Sequence, residues 1–292
     1  AGLNQSEIAS QLGTSRPVVQ RLIAAAKDEG IVSIGLHHPV ANCLDYAQLL
    51  KEKYQLTDCN IMPVYSIEST LDSVTFGCYQ LMARYLQGDK PTIVGIGSGL
   101  TLKKTIKRID FDSQNTRCVA LISAMNEHGQ CNYYDDVPLL LARKIQGKYY
   151  QWPAPRYAQS REEYQMWSTN RLFRNVSTVA RDSDVIFVGI GALGRQSPIF
   201  KDGFIDEQQL EELTARGGVG EILGRFIDAE GNVVESQINQ MITSHDIRES
   251  NCPRIAAACG EDKRPAILAA LKGGWINGLV TDEHTARWLL TR

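Results

Sequence analysis

Three short stretches limit the possible folds most: Thr92-Ile-Val-Gly-Ile96, Val185-Ile-Phe-Val-Gly-Ile190 and Arg254-Ile-Ala-Ala-Ala-Cys259 run almost wholly apolar, without polar alternation. A strand with one wet face alternates, whereas a strand covered on both faces need not, and such cover belongs to parallel sheets flanked by helices. Amphipathic stretches at helical spacing, such as 74–86 and 267–271, lie between strand-like runs of this kind. The pattern predicts an α/β fold built on a doubly wound, Rossmann-like parallel sheet. Composition permits the core this requires, because 43% of the 292 residues are apolar and only 22% are charged, a balance that favours collapse over disorder. A length prior of about 150 residues per domain leaves room for a second, smaller unit.

The first thirty residues read differently. Asn4 and Glu7 have capping-box spacing ahead of Ile8, Ala9 and Leu12, and Gly13 stops that helix. Ser15 then caps a second helix that tolerates Pro17 in its first turn and carries Val18, Val19, Leu22 and Ile23 for burial. Ala9, Gly13, Val19 and Leu22 fill the crossing, turn and core places of a helix-turn-helix. Ser15, Arg16, Pro17, Gln20 and Arg21 are left on the outward face near the second helix's start, where such helices meet base edges. Arg16 and Gln20 are the readers this predicts, for guanine and adenine respectively, while Ser15 suits a phosphate. The competing reading is an ordinary helical hairpin with a solvated polar face. Only Ala1, Gly2 and Leu3 precede Asn4, so the head is expected to lack its first helix. Residues 31–36 suit a wing strand, and Leu44, Ala47, Leu50 and Tyr54 mark a connecting helix that either pairs two chains or docks on its own large domain.

Within the α/β region, Ile93-Val-Gly-Ile-Gly-Ser-Gly-Leu-Thr101 sets a glycine-rich turn between a strand and a helix. Such turns collect anions through backbone N–H groups and the helix dipole. Ser98 and Thr101 add hydroxyls, and Lys103 and Lys104 place cations where the dipole disfavours them unless an anion is present, so a phosphate is expected. No Walker pattern is present. Gly189-Ile-Gly-Ala-Leu-Gly194 matches the dinucleotide spacing, but Pro198 follows and the segment reads as loop, so it is expected to line a pocket rather than hold a dinucleotide. Lys263 lies at another helix start and favours an anionic partner; Asp228 precedes a turn-forming Ala-Glu-Gly-Asn and reads as structural when taken alone.

Several functions are excluded. The seven cysteines are scattered without a CxxC pair, the five histidines lack metal spacing beyond an adjacent pair, and no nucleophilic triad is visible. Neither a metal nor a cofactor is expected. No apolar run approaches the ~18 residues of a membrane span and no leader opens the chain, so a soluble, cytoplasmic protein without membrane contact is expected. Net charge is −2, which leaves nucleic-acid binding to a local head and to dimerisation.

With these residues in view, the chain resembles the SorC-type sugar-responsive transcriptional regulators of bacteria. Asn4-Gln-Ser-Glu-Ile-Ala-Ser-Gln-Leu-Gly13 is similar to the family's reading head, and Gly217-Gly-Val-Gly-Glu-Ile-Leu-Gly-Arg-Phe-Ile-Asp-Ala-Glu-Gly231 to its effector domain. Gly260-Glu-Asp-Lys263, Ala266-Ile-Leu-Ala-Ala-Leu-Lys-Gly-Gly274 and Leu279-Val-Thr-Asp282 resemble its closing signature. The resemblance implies a helix-turn-helix DNA-binding domain over 1–40, a connecting helix over 41–56, and an effector and oligomerisation domain over 57–292. It implies a homodimer or homotetramer on an inverted-repeat operator, regulated by a sugar phosphate. Gly97, Ser98, Gly99 and Thr101 would hold the phosphate, Asp228 would bond sugar hydroxyls, and Lys263 would contact an oxygen or the phosphate. One departure is informative: family members often carry paired glycines where this chain reads Ile122-Ser-Ala-Met-Asn-Glu127. Met125 is expected to narrow the pocket there and shift the ligand to another sugar or an alditol phosphate. The effector domain also resembles sugar-phosphate isomerases and deaminases; that alternative needs a general base, with Asp228 or Glu221 as candidates.

Overall fold

The computed structural model describes residues 4–28, 39–88, 90–123, 125 and 137–292. The proposed wing, the adjacent histidines and residues 126–136 lie outside them. The chain divides into a small unit, 1–41, and a large one, 42–292.

In the small unit, α1 (Gln5–Gln11) begins on the expected capping box: the Asn4 side chain accepts from the Ser6 and Glu7 amides, and Glu7 accepts from the Asn4 amide at 2.7 Å. Gly13 turns the chain at φ +61°, a left-handed conformation that costs glycine little, and α2 (Arg16–Asp28) follows. Ala9 and Val19 are buried together, as the helix-turn-helix pattern requires. Leu22 departs from the expectation, at 56% exposed. Its neighbour Ile23, one turn beyond Val19, is half-buried instead.

Helix α3 (Pro39–Tyr54) crosses the boundary, most of it in the large unit, which goes on with β1 (Asp58–Met62), α4 (Ile67–Leu86), β2 (Thr92–Ile96) and α5 (Leu100–Lys107). It continues through β3 (Thr116–Ala120), α6 (Val137–Lys144), β4 (Lys148–Tyr150), α7 (Arg161–Thr169), α8 (Arg171–Arg181) and β5 (Val185–Val188). A smaller lobe follows, made of β6 (Gly191–Ala192), α9 (Pro198–Lys201), α10 (Glu207–Ala215), β7 (Gly218–Ile222), β8 (Arg225–Asp228) and α11 (Gln237–Gln240). The chain then returns as β9 (Arg254–Ala257), α12 (Arg264–Lys272), β10 (Gly278–Asp282) and α13 (Glu283–Leu290).

Among the described residues, seven strands form one sheet in the order β1-β10-β9-β5-β2-β3-β4, every pairing parallel. The doubly wound architecture is therefore present. Its two faces explain the unbroken apolar runs: Val185 and Phe187 pack with Val74, Met82, Leu102, Ile106 and Leu141 on one side. Ile186 and Val188 pack with Leu50, Val176, Ala180, Ile267 and Leu289 on the other. Helix α3 docks on the large unit by burying Cys43 and Leu50, while Leu44 is 64% exposed on its far side. A three-stranded antiparallel sheet, β6-β7-β8, packs with α9, α10 and α11 around Phe204, Leu213 and Phe226. The segment after Gly194 is thus not all loop: Pro198 starts the four-residue α9, a first-turn place that suits proline.

Candidate functional site

Strand order reverses between β2 and β5, since β3 and β4 extend the sheet one way and β9 and β10 the other. Open α/β sheets bind ligands beyond the strand ends at such a switch point. A cavity of about 370 Å³ lies there, walled by Ser98–Thr101 after β2, Gly189–Ala192 after β5, and Cys259 and Lys263 after β9. The smaller lobe closes it with Ser197, Ile199, Phe204, Glu221 and Leu223.

The loop after β2 is shaped for an anion. Gly99 stands at φ +116°, ψ 162° and no side chain caps α5. The first N–H groups of a helix have no partners within it, and the residues at this end of α5, Ser98, Gly99, Leu100 and Thr101, line the cavity. Thr101 is buried there, its carbonyl accepting from Thr105 Oγ1 at 2.9 Å. A second glycine start is built the same way: Gly260, at φ +104° and without a side-chain cap, opens the 3-10 turn Glu261–Lys263 that leads into α12. The start of α5 and the Lys263 ammonium therefore border one cavity, an arrangement suited to an anionic group.

Opposite them stands Glu221 on β7. Its Oε2 accepts the Gly224 amide at 2.7 Å, and a Cβ on Gly191 would collide with its carboxylate, so the glycine of the decoy dinucleotide motif makes room for an acid. Burial pushes the Glu221 carboxyl above its ordinary range, against the opposing pull of the Gly224 N–H, Arg156 and Lys263. Arg156 is buried, donates from Nη2 to Ser123 O at 3.3 Å, and lies 3.6 Å from the Phe204 ring centre. Burial raises the Cys259 thiol to about 11, so it stays protonated at neutral pH.

Of the expected ligand residues, Ser98, Gly99, Thr101 and Lys263 meet in this cavity. Gly97 does not line it: its amide donates to Phe187 O at 2.9 Å, and a Cβ would sit 3.0 Å from Leu223 Cδ2, so its lack of a side chain serves packing. Asp228 does not line it either. Its Oδ1 accepts the Glu230 and Asn232 amides at 2.9 and 2.8 Å and Oδ2 accepts from Asn232 Nδ2, so this carboxylate closes a turn. Lys103 and Lys104 are likewise outside the lining; Lys104 bonds Asp72 at 3.2 Å. Ile122 rather than Met125 forms the wall, and Met125 lines an adjoining cavity of about 610 Å³ that shares Arg156 and Phe204. In the small unit Ser15, Arg16, Pro17, Gln20 and Arg21 are all exposed, with Arg16 Nε 3.5 Å from Gln5 Oε1. Arg156 and Ser197 escaped the sequence reading, because neither sits in a recognisable pattern.

A family profile described as "Putative sugar-binding domain" matches residues 38–291. The erythritol catabolism regulatory protein EryD of Brucella abortus (strain 2308) is 30% identical over 293 residues, covering 99% of this chain and 92% of that one. The transcriptional regulator LsrR of Escherichia coli (strain K12) is 31% identical over 300 residues, covering 99% and 90%. The crystal structure of the full-length sorbitol operon regulator SorC from Klebsiella pneumoniae superposes with a TM-score of 0.77 at 24% identity, covering 99% of this chain and 94% of that one, which shows the shared fold. Fold, cavity and relatives together define a sugar-responsive transcriptional regulator and not an enzyme. The chain belongs to the SorC/DeoR-like family of sugar-binding transcriptional regulators.

Proposed function

We propose that the cavity holds a phosphorylated alditol or sugar and that its occupancy sets the affinity of the 1–40 head for operator DNA. The observation that carries this is the meeting of the uncapped, glycine-started end of α5 and the Lys263 side chain on one cavity. The phosphate lies against Ser98, Gly99 and Thr101 with Lys263 as counter-charge, and the hydroxyls reach Glu221 and Arg156. Glu221 favours neutral hydroxyls over a second phosphate, since two anions in so closed a site repel. The Brucella relative is named for erythritol catabolism, which makes erythritol 4-phosphate a rational first probe.

In the head, Arg16 and Gln20 read bases while Ser15, Pro17 and Arg21 border the phosphate backbone. Residues 41–56 connect the head to the effector domain over 57–292. A near-neutral head needs two copies for useful affinity, so the protein acts in the cytoplasm as a homodimer or homotetramer on an inverted repeat. The test is calorimetric titration of the full chain with erythritol 4-phosphate, other alditol and sugar phosphates, and their unphosphorylated alcohols. Binding restricted to phosphorylated ligands and weakened by Lys263→Ala and Thr101→Val is expected. Equal binding of the free alcohols would remove the phosphate assignment.

A further inference from the structure

The walls of the cavity are joined to α3 by a chain of contacts that ligand binding alone does not require. The Gly260 amide, at the start of the Lys263 turn, donates to Asp282 Oδ2 at 3.3 Å. Asp282 is buried at the end of β10 and caps α13, its Oδ1 accepting the Thr285 amide at 2.9 Å and its Oδ2 the Thr285 hydroxyl at 2.7 Å. The next residue, Glu283, accepts from the Val64 amide at 3.4 Å and lies 4.0 Å from Cys43 Sγ on α3. At the other end of α13, the Lys53 ammonium of α3 donates to the carbonyls of Leu289, Leu290 and Arg292 at 3.3, 3.1 and 2.7 Å. Tyr54 adds a bond from its hydroxyl to Leu289 O at 3.1 Å.

Both ends of α13 are thus fastened to α3, and its cap is fastened to the turn that carries Lys263. Lysine across the last carbonyls of a helix also opposes the helix dipole, which strengthens this clamp. From this geometry we infer that Asp282 and α13 form a strut that transmits the state of the effector cavity to α3, the helix by which the chain enters the effector domain. The inference rests on the effector reading above. An anion that draws in Lys263 changes the Gly260–Asp282 bond, and because α13 is held at both ends the change reaches α3 as a shift of one body. Asp282, Lys53 and Tyr54 are positioning residues, none of which lines the cavity.

The test is hydrogen exchange on the full chain with and without erythritol 4-phosphate, in wild type, in Lys53→Met/Tyr54→Phe and in Glu283→Gln. In wild type, ligand should slow exchange both in residues 98–101 and 260–263 and in residues 44–54. The double variant should keep the cavity protection and lose most of the effect on α3, and ligand should then change DNA affinity by less than half the wild-type factor, which is about 5- to 150-fold for typical allosteric coupling. Glu283→Gln, which removes the charge but keeps the side chain's size, controls for misfolding and should show a smaller loss of the same kind. Cavity protection with unchanged transmission in both variants overturns the strut while sparing the effector site. Failure of the wild type to protect residues 98–101 overturns the site itself and the strut with it.

Discussion

Substitution of Gly99 by alanine isolates the backbone geometry on which the anion site depends. At φ +116°, ψ 162° this residue occupies a region essentially closed to other amino acids. A Cβ there would meet nothing within 4 Å, so the whole effect is backbone strain, about 1–3 kcal/mol. If the loop keeps its shape, the folded state carries that strain, and at ~2–4 °C per kcal/mol for a domain of this size the melting temperature falls by about 2–12 °C. If the loop relaxes, stability is spared and the free energy reappears as effector binding weakened by about 5- to 150-fold. The two losses should together account for the strain. Calorimetric melting without ligand and titration with erythritol 4-phosphate measure them separately. Gly88→Ala, with no strained φ and equally open space, serves as the control and should change neither. A Gly99→Ala protein within about 1 °C and about twofold of wild type on both measures would show that this backbone carries no such strain.

Glu221→Gln should stabilise the chain at pH 7 while weakening effector binding. The raised carboxyl binds more protons folded than unfolded, so ionisation removes stability as pH rises above the ordinary carboxylate range; a lower melting point for the glutamine variant at pH 7 would contradict this. His245 is buried beside Ser250 at 2.9 Å, and burial lowers it to about 4 although Asp246 pulls the other way. Its contribution is complete above its unfolded value of 6.5 and is lost as pH falls toward 4, about 3 kcal/mol in all. Urea unfolding across that window should show the decline in wild type and a flatter profile in His245→Gln; parallel profiles would remove His245 as the cause. Arg16→Ala should cost about 1–3 kcal/mol at one base pair and relax preference there, as read by competition among operator variants; unchanged preference would exclude it as a reader.

The sheet was legible because its strands are buried on both faces, and continuous runs such as 185–188 leave little other use for so many apolar residues. The head was legible through its caps, which are local: Asn4 and Glu7 find each other within one turn. Leu22 and Ile23 are equally apolar neighbours, and only their partners decide which turns inward: Ile23 is half-buried and Leu22 is exposed. Ser98, Gly99 and Thr101 of the glycine-rich turn line the cavity, whereas Gly97 looks alike in sequence but has its amide paired to β5. Asp228 shows the converse, since a carboxylate before Gly and Asn serves a turn or a ligand equally well until its hydrogen bonds are seen. Arg156 and Glu221 reach the cavity from segments far apart in the chain, and no spacing rule brings them together.

The proposed control of sequence-specific DNA binding by a phosphorylated ligand in the switch-point cavity is tested by selecting bound duplexes from a random pool with the full chain at physiological salt. The recovered duplex is then titrated with and without alditol and sugar phosphates. One inverted-repeat motif should emerge, with an affinity that at least one phosphorylated ligand changes about fivefold or more and the matching free alcohol leaves unchanged. No recovered motif, or a motif whose affinity is indifferent to every phosphorylated ligand, would contradict the account.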